Sequence, residues 1–467
     1  MSELQRKWAK TRAAQPPDAL LVAAAALDEQ LEDGATADIA EAPEDEGETG
    51  TVPELPEFAD DDSSSASSAS STGTVVPSPR QNLFARPQGF PRGRTMDVIP
   101  WTTYFERELF LEIERDGGSN TVTFHTYLTS PVGKGPLFVM HHGAGSSGLS
   151  FAVVGAEIRK RNPSAGILSL DARGHGSTTV AAAGSSGGGG DNKQQPPTPP
   201  PPPDLSLGTL AADLLAVIRA TGERMGWANS SNSSSSSNGS SAPPPQLPPI
   251  VLVGHSLGGA VVTHLASTGA LGDDGGLLGY VVLDVVEGSA MDALQSMQTY
   301  LSTRPAGFSS VQAAVDWHVR SRTVRNSVSA RTSVPGLLVR REEEEGGGGG
   351  GDDAAAAARP WRWRTDLAAT QPFWEGWFVG LSKKFLSARG GKLLLLAGTD
   401  RLDTELTIGQ MQGKYALQVF TEAGHFVHED LPEKTAIALV DFHRRNDRTS
   451  LVLPPKVSEL LAQGKRV

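Results

Sequence analysis

The chain has 467 residues, enough for two domains or for one large domain carrying inserts. A hydrophobic content of 38%, with 52 glycines and 32 prolines, is low for a fully packed chain of this length and predicts sizeable stretches outside any core. The formal net charge of −12 argues against nucleic acid as a partner, and the lack of cysteine excludes disulfides, a thiolate nucleophile and any cysteine-ligated metal.

The opening "MSELQRKWAK" has no apolar core of the signal-peptide kind, and no apolar run is long enough to span a membrane. The expectation is an intracellular soluble protein, cytoplasmic or nuclear. Residues 1–97 read as a disordered tail, because stretches such as "DDDSSSASSASSTGTVVPSPR" bury too little to offset the entropy of ordering. Within them "DALLVAAAALDEQL" (18–31) reads as a transient helix. A catalytic domain is expected over 98–450, with 451–467 as a C-terminal tail.

In that domain "LFLEIER" (109–115) and "TVTFHTYL" (121–128) alternate like the two strands of a hairpin. "PLFVMHHGAG" (136–145) and "AGILSLDARGHGS" (165–177) are continuous apolar strands, the pattern of a parallel sheet covered on both faces. Two low-complexity inserts, 181–203 and 229–249, flank a helix over 204–225 with Leu207, Leu210, Leu214, Val217 and Ile218 at helical spacing. Strand 249–256, helix 257–266 and strand 279–284 follow. A polar section with an acidic, Gly-rich loop at 340–359 leads to a helix over 373–386. Strands at 392–400 and 415–425 and a final helix at 433–445 complete an α/β pattern with a mostly parallel central sheet and helices on both faces.

Gly254-His255-Ser256-Leu257-Gly258 is a G-x-S-x-G pattern lying directly between an apolar strand and a helix. Such a serine sits on a strained turn that needs glycine neighbours, and the turn lifts Oγ to the N-terminus of the helix. An anion forming there meets free N–H groups and the positive end of the helix dipole. "MHHGAGSSG" (140–148) ends an earlier strand and matches the place that supplies a second oxyanion donor. The expected donors are the backbone N–H groups of Leu257 and Ala144, the latter to within one residue.

Among ten histidines, His425 suits the base: it follows a late strand and precedes the last helix. The neighbouring His428, Glu429 and Asp430 could suggest a metal cluster, but the two acids fit the start of the last helix, where negative charge is favoured. No metal and no cofactor is expected. His142 and His255 read as structural members of their motifs. For the acid, the usual arrangement uses the strand before the histidine, where "LLLLAGTDRLD" offers Asp400 and Asp403. Asp284, one strand earlier at the end of "GYVVLD", also fits.

Five segments carry a resemblance: "GHSLGGAVVTHLAS", "LDVVEGSAMDALQSMQTYL", "WHVRSRTVRNSVSARTSVPG", "WRTDLAATQPFWEGWFVGLSKKFLS" and "LLLLAGTDRLDTELTIGQMQGKYALQVFTEAGHFVHEDLPEK". They are similar to the protein phosphatase methylesterase family over most of 100–447. The resemblance implies an α/β-hydrolase fold and an esterase that demethylates the C-terminal leucine of the protein phosphatase 2A catalytic subunit, its partner, with no membrane and a monomeric free state. It puts the acid of the triad in the D-V-V-E-G motif, hence at Asp284, and leaves Asp400 and Asp403 to brace a loop. A lid is expected over about 288–390, with Met291, Arg325 and Arg331 as substrate contacts; its cluster Arg320, Arg322, Arg325 and Arg331 reads either as a hold for acidic positions of the substrate or as a solvated basic face. The long N-terminal tail and the two inserts depart from the family pattern. The rivals are a general small-molecule esterase or lipase, which leaves the lid motifs unexplained, and a non-catalytic phosphatase-binding scaffold, which would need a broken triad.

Overall fold

The computed structural model describes residues 96–115, 120–182, 203–227, 247–271, 276–341, 358–398 and 402–447. The transient helix expected at 18–31, most of the two inserts and Asp400 lie outside them.

The strands are β1 (Arg107–Arg115), β2 (Asn120–Thr129), β3 (Leu137–His141), β4 (Gly166–Leu170), β5 (Thr179–Ala182), β6 (Ile250–His255), β7 (Leu277–Leu283), β8 (Leu338–Arg340), β9 (Trp361–Trp363), β10 (Gly391–Leu396) and β11 (Ala416–Val419). Nine of them form one sheet in the order β1-β2-β4-β3-β6-β7-β10-β11, with β5 added onto β2. From β4 to β11 every neighbour is parallel, whereas β1, β2 and β5 pair antiparallel. All residues of β3, β4 and β6 are buried, as continuous apolar strands require when helices cover both faces.

Helices α1 (Ala152–Arg161), α2 (Leu207–Met225) and α3 (Leu257–Thr268) belong to the sheet layers. The core divides accordingly. One cluster packs α2 and α3 against Leu252, Tyr280 and Val282, and the other packs α1 against Val251, Val253 and Val281. Neighbouring β6 and β7 residues alternate between the clusters because successive strand side chains point to opposite faces.

After β7 the chain leaves the sheet through α4 (Glu287–Thr303), α5 (Val311–Arg320) and α6 (Ser327–Ser333) and the antiparallel pair β8–β9. This polar section, read from sequence as irregular, has a small core of its own around Phe308, Ala314, Val315, Val324, Ala330, Val334 and Leu338. The helix expected over 373–386 is two, α7 (Trp374–Phe378) and α8 (Leu381–Ser387), broken at Gly380, whose φ of 74° is left-handed. The cap is shorter than the lid expected over 288–390: Leu381 and Phe385 of α8 lie in the sheet core, and the Tyr280 hydroxyl donates to the Phe385 carbonyl at 2.5 Å. Helices α9 (Thr404–Met411), α10 (Val427–Asp430) and α11 (Pro432–Asn446) follow, α11 closing the second face.

The inserts are narrower than the sequence suggests. Thr179 to Ala182 already pair with β2. At the far edge Leu247 packs on the core beside Gly222, and the Pro249 carbonyl accepts the Leu137 N–H at 2.7 Å. Deleting only 183–201 and 231–246, with short Gly/Ser joins, is expected to leave the melting temperature and turnover close to the parent, because closure entropy changes slowly with loop length. A large fall in melting temperature on deletion contradicts this.

Candidate active site

β6 ends at His255 and α3 starts at Leu257, so Ser256 alone makes the turn, with φ 52° and ψ −119°. That conformation is costly for a residue with a side chain and persists only where its surroundings enforce it. The enforcement is local. The Ser256 N–H donates to the Leu283 carbonyl at 3.0 Å, and the Ser256 carbonyl accepts from the Gly259 N–H at 2.8 Å. A Cβ on Gly254 would lie 2.1 Å from the Gly258 carbonyl oxygen, and one on Gly258 would lie 2.0 Å from that of His141. The two motif glycines are therefore steric requirements of the turn.

Asp284 follows the last residue of β7 and also has a positive φ, 53°. Its N–H donates to the Leu395 carbonyl at 2.8 Å, and its Oδ1 accepts the Ala397 N–H at 2.8 Å. Its Oδ2 accepts the Nδ1–H of His425 at 2.8 Å. The carboxylate is fully buried while the imidazole is 29% exposed, so the ring keeps its second nitrogen toward the cavity. Among the described residues no hydrogen bond links Ser256 to His425, yet both line the same two cavities.

The loop carrying His425 is held from several sides. The His255 Nε2–H donates to the His425 carbonyl at 2.9 Å. Burial, and then the neighbouring His425, lower the pKa of His255 to about 3, which keeps it a neutral donor. Asp430 accepts the Gly424 N–H at 2.6 Å and the Arg325 N–H at 2.7 Å, and the Arg325 guanidinium donates to the Glu422 carbonyl at 2.5 Å. Glu429 accepts from the Ser333 hydroxyl at 2.5 Å, and burial raises its pKa well above the usual carboxylate range. His428 stacks on Phe151. The two acids thus lie buried in α10, ahead of the last helix and not at its start.

The loop after β3 packs against the nucleophile: a Cβ on Gly143 would lie 3.1 Å from that of Ser256. The His175 Nδ1–H donates to the Arg173 carbonyl, so its Nε2 is the acceptor for the Gly145 N–H at 2.9 Å. This occupies the Gly145 N–H, while Gly143 and Ala144 line the cavity beside Ser256. Leu257, as the first residue of α3, has an N–H without an intrahelical partner.

Above these groups the cap encloses an apolar chamber lined by Ala290, Ala293, Leu294, Met297 and Phe378, open to Ser256 and His425. A broader chamber of about 880 Å³, its open mouth included, adds Tyr300, Arg304, Trp317, Trp363, Trp374 and Trp377. The cap residues expected to touch substrate sit elsewhere. Arg325 is spent on the histidine loop, Arg331 donates to the Asp97 carbonyl at 2.6 Å, and Met291 packs on the sheet core. Arg320 pairs with Asp316 on the surface at 2.9 Å, and Arg322 forms a turn with φ 57°. Asp403 caps α9 by accepting the Leu406 N–H at 2.8 Å and also accepts from the Ser382 hydroxyl. Tyr300 and Arg304 were missed in the sequence, although they continue the one-sided helical spacing of Ala290, Ala293 and Met297.

A strand–serine–helix turn, a buried acid and a histidine loop at the C-terminal ends of parallel strands define an α/β hydrolase, and residues 138–438 match the model of the alpha/beta hydrolase family. The chain is 64% identical to the protein phosphatase methylesterase 1 of Neurospora crassa and 60% identical to that of Gibberella zeae, each over the whole of both chains. To the Bos taurus protein of the same name it is 38% identical, over 75% of this chain and 87% of the relative. The chain belongs to the protein phosphatase methylesterase 1 family.

Proposed function

We propose that the chain is a serine carboxylesterase that removes the methyl ester from the C-terminal leucine of the protein phosphatase 2A catalytic subunit. The observation that carries this is the buried Asp284 carboxylate on His425 Nδ1 at 2.8 Å, with Ser256 on the same cavity. Asp284 fixes the tautomer in which Nε2 is the free base. In the proposed reaction, Ser256 Oγ attacks the ester carbonyl carbon and gives its proton to His425 Nε2. The carbonyl oxygen becomes an oxyanion held by the N–H groups of Leu257 and Ala144. As the C–O bond to the methoxy group breaks, that oxygen takes the proton from His425 and leaves as methanol. Water, deprotonated by His425, then attacks the acyl-enzyme and releases the carboxylate and the Ser256 hydroxyl.

The apolar chamber of Leu294, Met297 and Phe378 suits a branched aliphatic side chain such as leucine, and the names of the relatives supply the phosphatase as partner. In this reading the enzyme works as a monomer inside the cell; among the described residues no helix is long and apolar enough to cross a membrane. Methanol release from methylated phosphatase, compared with turnover of a short-chain chromogenic ester, tests the reading. The expected result is a much higher kcat/KM on the phosphatase. The reverse order indicates a general esterase, and no turnover of either indicates a binding scaffold.

A further inference from the structure

In a chain of net charge −12, the cavity above Ser256 contains an arginine. Arg304 follows the last residue of α4, and its guanidinium carbon sits 3.7 Å over the centre of the Trp363 ring. That ring is itself fixed: its Nε1–H donates to the Pro305 carbonyl at 2.7 Å, and it packs nearly perpendicular to the Phe308 ring with centroids 5.4 Å apart. Stacking on an aromatic face holds a guanidinium in one orientation and leaves its N–H edge for a planar, bidentate acceptor.

The described residues provide no such acceptor. No carboxylate among them lies within ion-pair distance of Arg304, and Asp366, which shares the adjoining groove, accepts instead from the N–H groups of Ala368 and Ala369. Burial lowers the pKa of Arg304, so its charge is held at a cost that, among the described residues, the Trp363 face offsets without any carboxylate. Arg304 lines both the chamber that reaches Ser256 and the outer groove beside it. A chain entering by the groove with its esterified end at Ser256 must pass it.

We propose that Arg304 is a specificity-determining residue, the subsite for an aspartate or glutamate side chain that lies upstream of the esterified C-terminus in a peptide substrate. The inference rests on the esterase reading above. Trp363 presents the guanidinium, the acidic side chain accepts its paired N–H groups, and the ester carbonyl is thereby registered at Ser256. Selection falls on binding and registration, not on the bond-making step, so it depends on salt.

The test uses short peptide methyl esters ending in leucine, with one aspartate moved position by position upstream and an asparagine-containing control for each. Methanol release is measured on the full chain. At one position the parent enzyme is expected to favour aspartate by about tenfold or more in kcat/KM, in keeping with a charged hydrogen bond. The preference is expected to vanish in Arg304→Gln, to return in part in Arg304→Lys, and to shrink at high salt. Equal rates on aspartate and asparagine peptides at every position, or a preference that survives Arg304→Gln, overturns the subsite while leaving the esterase reading intact. No methanol from any peptide, nor from methylated phosphatase, removes both together.

Discussion

Ser256→Ala is expected to abolish methanol release while leaving the fold and phosphatase binding close to the parent. Loss of Oγ removes the only atom that can form the acyl-enzyme, and removal of such a nucleophile costs on the order of 10⁶ in kcat. Stability need not suffer. The turn is enforced by backbone bonds to Leu283 and Gly259 and by the close approach of Gly258 to the His141 carbonyl, none of which uses the hydroxyl. Alanine keeps the Cβ that already tolerates φ 52°. The measurements are methanol release, a thermal melt and a binding titration with the phosphatase. Residual turnover within tenfold of the parent, with an unchanged melt, would show that another group is the nucleophile.

The parts of the fold that sequence made legible are those set by local pattern. β3, β4 and β6 are mostly apolar, fully buried runs leading into glycine-bearing turns, and a run of that kind has few places other than the middle of a parallel sheet. The nucleophile turn was readable for the same reason, since its glycines, serine and flanking strand and helix are consecutive. The cap was less legible. α5 buries only Ala314, Val315 and His318 against a small cluster, so its apolar signal is thin, and its start depends on the Ser310 hydroxyl accepting the Ala313 N–H at 3.0 Å. A single serine cap of this kind carries little weight in a polar stretch.

The roles of individual cations were harder still, because partners distant in sequence decide them. Arg325 and Arg331 looked like a substrate cluster, but Arg325 meets Asp430 and Glu422 about a hundred positions on, while Arg331 meets the Asp97 carbonyl. Arg304 carries no signal of its role in the sequence alone, since the ring that holds it is Trp363, in a strand that follows the acidic loop. Charge in a sequence shows what can pair. Only the fold shows what is left unpaired in a cavity.

Asp284→Asn is expected to lower kcat by about 10⁴-fold, the scale of the same change in a serine protease triad. Spacing alone left Asp284 in competition with Asp400 and Asp403, and the sheet explains why. β7 and β10 are adjacent and parallel, with Leu283 opposite Leu395, so residues that follow either strand emerge side by side. Asp284 and the start of the β10 loop in fact touch, through the Ala397 N–H on Oδ1. What separates Asp284 from Asp403 is burial and the bond to His425. An asparagine at 284 could still accept from Ala397, but it brings no charge to offset the imidazolium, and its amide turned toward Nδ1 would favour the wrong tautomer. Asp403 is engaged elsewhere, since its oxygens cap α9 and take the Ser382 hydroxyl, and asparagine is nearly as good a cap as aspartate. Asp403→Asn is therefore expected to change kcat by less than about tenfold and to act, if at all, on the melt; the same mild outcome is expected of Asp400→Asn. The comparison needs kcat on one methyl ester and a thermal melt for all three variants. If Asp403→Asn or Asp400→Asn is the inactive enzyme while Asp284→Asn still turns over, the acid of the triad is at the end of β10. A buried carboxylate with one oxygen on a histidine and the other on a backbone N–H argues for the opposite result, since burying that charge is costly unless the histidine shares it.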